Sequence, residues 1–278
     1  MVYGKSIELF LVNGSADSLV TAELSNWNGK AIKIPRTEIA SCSRPDITQA
    51  GVYFLFSKQD DDTDAVYIGE SENIKERLIQ HIRDYNAEKE KYYWNTAVIF
   101  IGSDLNKSLI RYLEDRFVTI AKSCKRAAVL TKNTYSKTVI KESQKAAMEE
   151  FIDNVKIVIN ALGFNVLEPK TQPETDDTET MLFMNYGSAK AKGKRTSDGF
   201  VVFSGSCINA TTTKACPESA IKNRTKYAAF IDENHTLTDD LLFSSPSGAA
   251  SFVGGSALSG NEQWKDTNGK KLKDIDSV

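Results

Sequence analysis

The sequence predicts an α+β protein: a small mixed or antiparallel sheet flanked by helices, followed by a smaller α+β domain. Three observations lead there. Short apolar runs bounded by turn residues cluster before residue 102 and again after residue 180. Three long segments between residues 73 and 163 repeat their apolar residues at helical spacing. Between the two groups, EPKTQPETDDTET (168–180) holds two prolines, many acids and threonines, and no large apolar residue. The expected division is therefore a first domain over 1–168 with its core at 50–135, a linker over 169–180, and a second domain over 181–278.

The elements follow in order. SIELFLV and the turn NGSADS read as a first strand. LVTAELSNWNGKAIKIP alternates and turns at NWNGK, as a hairpin does. GVYFLFS and AVYIG flank the polar loop KQDDDTD, which predicts a second antiparallel hairpin with an acidic, solvated tip. A helix over Asn73 to Lys89 aligns Ile74, Leu78, Ile82 and Tyr85 as a core stripe. NTAVIFIG is a buried strand. A second helix, with Asp104 as its expected N-cap, aligns Leu109, Leu113, Phe117 and Ile120. ESQKAAMEEFIDNVKIVINALGF is a third helix ending near Gly163. In the second domain MLFMNYG, GFVVFSGS, YAAFIDE and GKKL read as short strands, AKAKGKRTSDG as a basic loop, and SSPSGAASFVGG as a helix or turn.

Bulk composition excludes several function classes. With 278 residues, 41% hydrophobic and 26% charged, the chain is long enough for two globular domains. A net charge of −2 means that any nucleic-acid binding rests on local patches, not on the whole surface. Cys42, Cys124, Cys207 and Cys216 are scattered, with neither a zinc-type spacing nor a disulfide framework. No stretch approaches the roughly 18 apolar residues of a membrane helix. The N-terminal apolar run is interrupted by Glu8 and reads as a strand, not a signal peptide, so a cytoplasmic location without membrane contact is expected. GGS at Gly254 and Gly255 lacks the lysine of a phosphate loop.

One constellation carries chemistry. The paired strands end in GVY (51–53) and YIG (67–69), which brings two tyrosine hydroxyls, Tyr53 and Tyr67, toward one side of the sheet. Gly69 is expected to relieve crowding at the turn into the next helix. That helix carries Arg77, a planar fork suited to phosphate oxygens, and His81 one turn later. The second helix sets Glu114 at the border of its apolar stripe, half-buried, where a carboxylate can hold one hard cation such as Mg²⁺. A base, charge stabilisation and a Lewis acid are the requirements of phosphodiester hydrolysis.

GVY, YIG and ENIKERLIQH together resemble the GIY-YIG nuclease domain, with Val52 in place of the usual isoleucine, and the element order is similar to that domain as well. The resemblance implies a nuclease that depends on Mg²⁺ or Mn²⁺ and acts on nucleic acid, DNA before RNA. It assigns general-base chemistry to Tyr53 with Tyr67 in support, the charge-stabilising arginine to Arg77, a catalytic histidine to His81, and the metal-binding carboxylate to Glu114. It also suggests substrate contacts from Gly69, Lys132 and Asn133, the last matching a late asparagine of the family. The flanking sequences resemble bacterial proteins that fuse such a domain to a C-terminal domain of unknown function, which leaves the role of that domain and the oligomeric state open.

Each residue also has a plainer reading: strand aromatics for the tyrosines, a solvated carboxylate for Glu114, a surface cation for Arg77, a packing histidine for His81. Their coincidence at the family's spacing favours the site. The run from Lys122 to Lys145 has seven Lys or Arg against one acid and directly follows the Glu114 helix, as a phosphate-backbone track would. Trp27 and Trp264 are expected in the core. The alternative to an enzyme is a nucleic-acid-binding or regulatory module whose nuclease site is weak or silent.

Overall fold

The computed structural model describes residues 3–59, 63–132, 138–169 and 181–275. The chain divides into two compact units, Met1–Pro169 and Lys170–Val278. The linker expected over 169–180 lies, Pro169 apart, outside the described residues, as do Asp60–Asp62 of the acidic hairpin tip.

The first unit runs β1 (Ile7–Leu11), β2 (Val20–Leu24), β3 (Gly29–Pro35), β4 (Gly51–Lys58), β5 (Asp64–Ser71), α1 (Ile74–Asn86), β6 (Thr96–Gly102), α2 (Lys107–Cys124), β7 (Ala128–Val129) and α3 (Glu142–Ala161). Its sheet has the order β1-β2-β3-β6-β4-β5-β7. Every pairing is antiparallel except β5 with β7, so the sheet is mixed. β4 and β6 lie inside it, and their almost uninterrupted apolar runs follow from burial on both faces. On one face Val52, Phe54, Val66, Ile68 and Phe100 pack under α2 and α3, against Leu113, Phe117 and Val155. On the other, Tyr53, Leu55 and Ile99 pack with Ile74 and Leu78 of α1 and with Trp94.

Several expectations need correction. The buried face of α1 is Ile74, Leu78 and His81, while Ile82 and Tyr85 are only partly buried, because the ring of His81 finds hydrogen-bond partners inside. The N-cap of α2 is Asn106, whose Oδ1 accepts from the backbone of Ser108 and Leu109; Asp104 instead accepts from Asn28. Trp27 is not fully buried, though it packs on Phe151 at 5.0 Å between ring centroids.

The second unit holds β8 (Leu182–Tyr186), β9 (Ala189–Thr196), β10 (Gly199–Val202), α4 (Glu218–Lys226), β11 (Leu241–Phe243), α5 (Pro246–Gly254), α6 (Gly260–Gln263) and α7 (Leu272–Ile275). Its antiparallel sheet, ordered β11-β10-β9-β8, packs Met184, Phe200, Val202 and Phe243 with Ala250 and Phe252 of α5 and with buried Trp264. AKAKGKRT is a strand and not a loop: its alanines and Gly193 point into the core, and its lysines point outward. YAAFIDE forms a 3-10 turn over Ala228–Phe230, and GKKL contributes one bridge and the start of α7. Each pairs through a single bridge, Ile231 with Leu237 and Lys271 with Lys265, and neither extends into a strand. Among the described residues no helix is long and apolar enough to cross a membrane.

Candidate active site

The β4–β5 register determines the site. Tyr53 lies opposite Gly69 and Leu55 opposite Tyr67, so both tyrosines stand on the α1 face, their ring centroids 6.3 Å apart and nearly parallel. A Cβ on Gly69 would run into the hydroxyl and ring of Tyr53, which cross directly above it. Gly69 therefore does not ease a turn, as its sequence context suggested. It sits inside β5 and leaves room for the Tyr53 phenol. Gly51 has a parallel role, because a side chain there would meet the Phe100 carbonyl and Ile74.

The helix α1 starts at Asn73, whose side chain accepts from the Glu76 backbone, and carries Arg77 and His81 inward. His81 is fully buried, with Nε2 2.9 Å from the Tyr53 hydroxyl and Nδ1 2.7 Å from Glu90 Oε1. A carboxylate only accepts, so Nδ1 carries the proton and Nε2 is left bare to accept from the Tyr53 O–H. Burial, and then the charges of Arg77 and Arg36, lower the imidazole to about 3, so the ring is neutral at rest. Burial, with Tyr67 next in weight, raises the Tyr53 phenol well above its ordinary value although Arg77 opposes this; burial raises Tyr67 in the same way. Burial opposes the Arg77 charge, but the two phenol oxygens beside it favour the charge and the net direction is upward.

Glu114 projects from α2 and is more deeply buried than the half-exposed border position expected from its stripe. Its Oε2 is buried without a hydrogen-bond partner. Burial, and then repulsion from Glu70, raise its carboxyl to about 7, with Lys107 and Arg77 opposing. Glu70 follows the YIG triplet on β5 but faces α2, where Lys107 Nζ reaches its two oxygens at 2.9 and 2.8 Å and Arg111 Nε lies 3.7 Å away.

Two tyrosines and a histidine thus stand with an arginine beside the β4–β5 pair, which carries Gly51 at the start of β4 and Gly69 inside β5, and a buried carboxylate on α2 lies within electrostatic reach of that arginine. A family-wide sequence profile described as the GIY-YIG catalytic domain matches residues 49–127. The chain carries a GIY-YIG catalytic domain. Residues 182–276 match a second profile, a domain of unknown function (DUF4357). Neither the curated proteins nor the solved structures compared with the chain include a match. A GIY-YIG catalytic domain implies phosphodiester hydrolysis of the nuclease type and a nucleic-acid substrate.

Within this GIY-YIG domain, Tyr53, Tyr67, Gly69, Arg77 and His81 form one cluster, and Glu114 lies within electrostatic reach of Arg77 and both tyrosines. Lys132 is exposed just past Thr131, whose hydroxyl both accepts from Ile68 N–H and donates to Ile68 C=O, which docks the segment beside β5 near Gly69. Asn133 lies outside the described residues. Among the described residues no three His, Cys, Asp or Glu side chains are grouped to hold a metal. A single-carboxylate Mg²⁺ or Mn²⁺ site still fits Glu114: an unpartnered buried oxygen beside a second acid is the environment a hard cation relieves, and Mg²⁺ keeps most of its shell as water and phosphate. Glu90 and Glu70 were missed by sequence reasoning. Strand alternation, which sets Glu70 on the same face as Val66 and Ile68, together with Lys107, Arg111 and Glu114 at helical spacing, signals Glu70; nothing local signals Glu90.

Proposed function

We propose that the GIY-YIG domain is a metal-dependent endonuclease that hydrolyses phosphodiester bonds, in DNA before RNA. The observation that carries this reading is the hydrogen-bonded chain Glu90–His81–Tyr53, which ends on a phenol oxygen beside Arg77. A phenol with a raised pKa is a poor resting base but a good relay. As a water attacks phosphorus, the Tyr53 oxygen takes the water's proton while the Tyr53 proton passes to His81 Nε2. The imidazolium so formed is stabilised by Glu90, so Glu90 holds the tautomer that makes the transfer possible. In this proposal the Arg77 fork neutralises charge building on the phosphate oxygens. Tyr67, stacked beside Tyr53, positions the scissile phosphate, and Lys132 and Asn133 contact the backbone. Glu114 would hold a divalent ion, which would supply Lewis-acid stabilisation of the phosphate charge.

The reading extends to organisation and place. Residues 1–168 form the nuclease domain with its N-terminal strands, 169–180 a linker, and 181–278 a separate domain; the four free cysteines suit a reducing cytoplasm. The test is incubation of supercoiled plasmid, single-stranded DNA and RNA with the full chain and Mg²⁺ or Mn²⁺. Cleavage that is abolished by EDTA and lost in folded Tyr53→Phe and Glu114→Gln supports the proposal. Binding to these substrates with no cleavage of any of them overturns it in favour of a recognition module.

A further inference from the structure

The second unit presents a row of side chains that its own core does not use. β8, β9 and β10 turn Leu182, Met184, Ala191 and Val202 inward. The opposite face is then assigned by alternation. Phe183 pairs with Lys192 in the β8–β9 register. Phe203 continues the β9–β10 hairpin opposite Lys192, its N–H donating to the Lys192 carbonyl at 3.0 Å. On the other side Phe183 exchanges backbone hydrogen bonds of 2.7 and 2.9 Å with Lys265. Directly paired residues share a face. The row therefore reads Lys265, Phe183, Lys192, Phe203 across the sheet, cation alternating with aromatic ring. Lys192 Nζ lies 6.0 Å from the Phe203 ring centroid. Lys190 stands two residues along β9 on the same face, opposite Asn185.

This row is open. Lys190, Lys192 and Lys265 are exposed, and Phe183 keeps 39% of its surface, so its ring is reachable from solvent between two exposed lysines. Beside it lies a groove of about 420 Å³ lined by Phe183, Asn185, Gln263, Lys265 and Asp266. The Asp266 carboxylate is already engaged, with Oδ1 accepting from the backbone N–H groups of Asn268 and Lys270. Charge also differs along the chain: residues 181–278 hold twelve Lys and Arg against ten Asp and Glu, and residues 1–180 hold 23 against 27. A ligand drawn to this face is anionic, and it has flat apolar groups to lay on two phenyl rings about 10 Å apart, the separation of alternate strands.

We propose that this outer sheet face binds single-stranded nucleic acid: Phe183 and Phe203 stack on bases, Lys190, Lys192 and Lys265 hold phosphates, and the amides of Asn185 and Gln263 line the adjoining groove. Single strands combine exposed base faces with a regularly charged backbone, and aromatic platforms within basic grooves bind them with little sequence preference. A duplex keeps its bases stacked on one another and offers the phenyl rings nothing. The inference is independent of catalysis, because it concerns binding by the domain of unknown function.

The test is fluorescence anisotropy of the full chain with a fluorescein-labelled 20-nucleotide oligo(dT), in EDTA so that nothing is cleaved, as a function of salt. Phe183→Ala is expected to weaken binding about tenfold or more, from the loss of one stacked base, and Phe183→Trp to restore it. The double variant Lys190→Ser, Lys192→Ser is expected to weaken binding and to lower the salt slope, by about 0.7 per phosphate contact removed. Circular dichroism checks that each variant is folded; the exposure of these three side chains makes the substitutions tolerable. Unchanged affinity and slope in folded variants would overturn the proposal, as would equal sensitivity of duplex binding or equally effective competition by polyglutamate. Loss of cleavage in Tyr53→Phe with oligonucleotide binding intact would separate the two proposals, since each then stands on its own residues.

Discussion

Glu114→Gln should stabilise the metal-free protein at alkaline pH while abolishing activity. The wild-type carboxyl is raised from 4.5 to about 7 by burial and by Glu70. Between those values the folded state binds a proton that the unfolded state has released. Stability is therefore highest below about pH 4.5, falls as pH rises toward 7, and stays reduced above it. A shift of that size corresponds to about 3 kcal/mol at most, and screening through the open edge of the site brings it to about 1–2 kcal/mol. Glutamine never ionises and so escapes the penalty. In EDTA at pH 8 the unit containing β1–α3 should unfold about 2–8 °C higher in the variant, using roughly 2–4 °C per kcal/mol for a unit of this size. At pH 5 the difference should largely vanish, and Mg²⁺ should raise the melting temperature of the wild type but not of the variant. Differential scanning calorimetry at the two pH values measures all of this. A variant that is less stable than wild type at pH 8, or a difference independent of pH, would refute the claim that Glu114 is a buried carboxylate awaiting a cation.

Other perturbations probe the remaining parts of the site. Gly69→Ala drives a methyl group into the Tyr53 ring; overpacking of this kind costs about 1–3 kcal/mol, so thermal melts should shift down and cleavage should fall with it, whereas a neutral substitution would contradict the packing. Glu90→Gln should lower kcat about 100-fold with KM little changed, and Glu90→Asp should recover part of the loss; ¹⁵N shifts of the His81 ring should show the Nδ1–H tautomer in wild type and lose it in the glutamine variant, and an unchanged ring spectrum would count against the relay. Arg77→Lys keeps the charge but loses the two-pronged fork, so steady-state assays should show a kcat reduced well below wild type without loss of fold; full activity would mean that charge alone suffices.

The elements that position this site were legible because their residues obey simple periodicities. GVYFLFS and TAVIFIG are apolar on both faces and occupy inner strands, and the spacing of Ile74 and Leu78 or of Leu109, Leu113 and Phe117 marks helix faces directly. AKAKGKRT was misread because its lysines and glycine suggested a loop, while its strict alternation was the stronger signal. The site was partly legible in the same sense. Tyr53, Tyr67, Arg77 and Glu114 lie on elements whose order sets their convergence. The reason for Gly69 was not visible, since it depends on where the ring of a residue on the neighbouring strand crosses the backbone. Glu90 was invisible for a related cause: it lies in a loop beyond α1, and only the folded path of that loop brings its carboxylate to His81 Nδ1.

The most direct test of the central claim is anomalous scattering from crystals of the protein soaked in Mn²⁺. The account predicts a peak about 2.1 Å from a carboxylate oxygen of Glu114, on the side facing Tyr53 and Arg77, and no such peak in Glu114→Gln. Manganese bound elsewhere with the Glu114 oxygens left bare would contradict it.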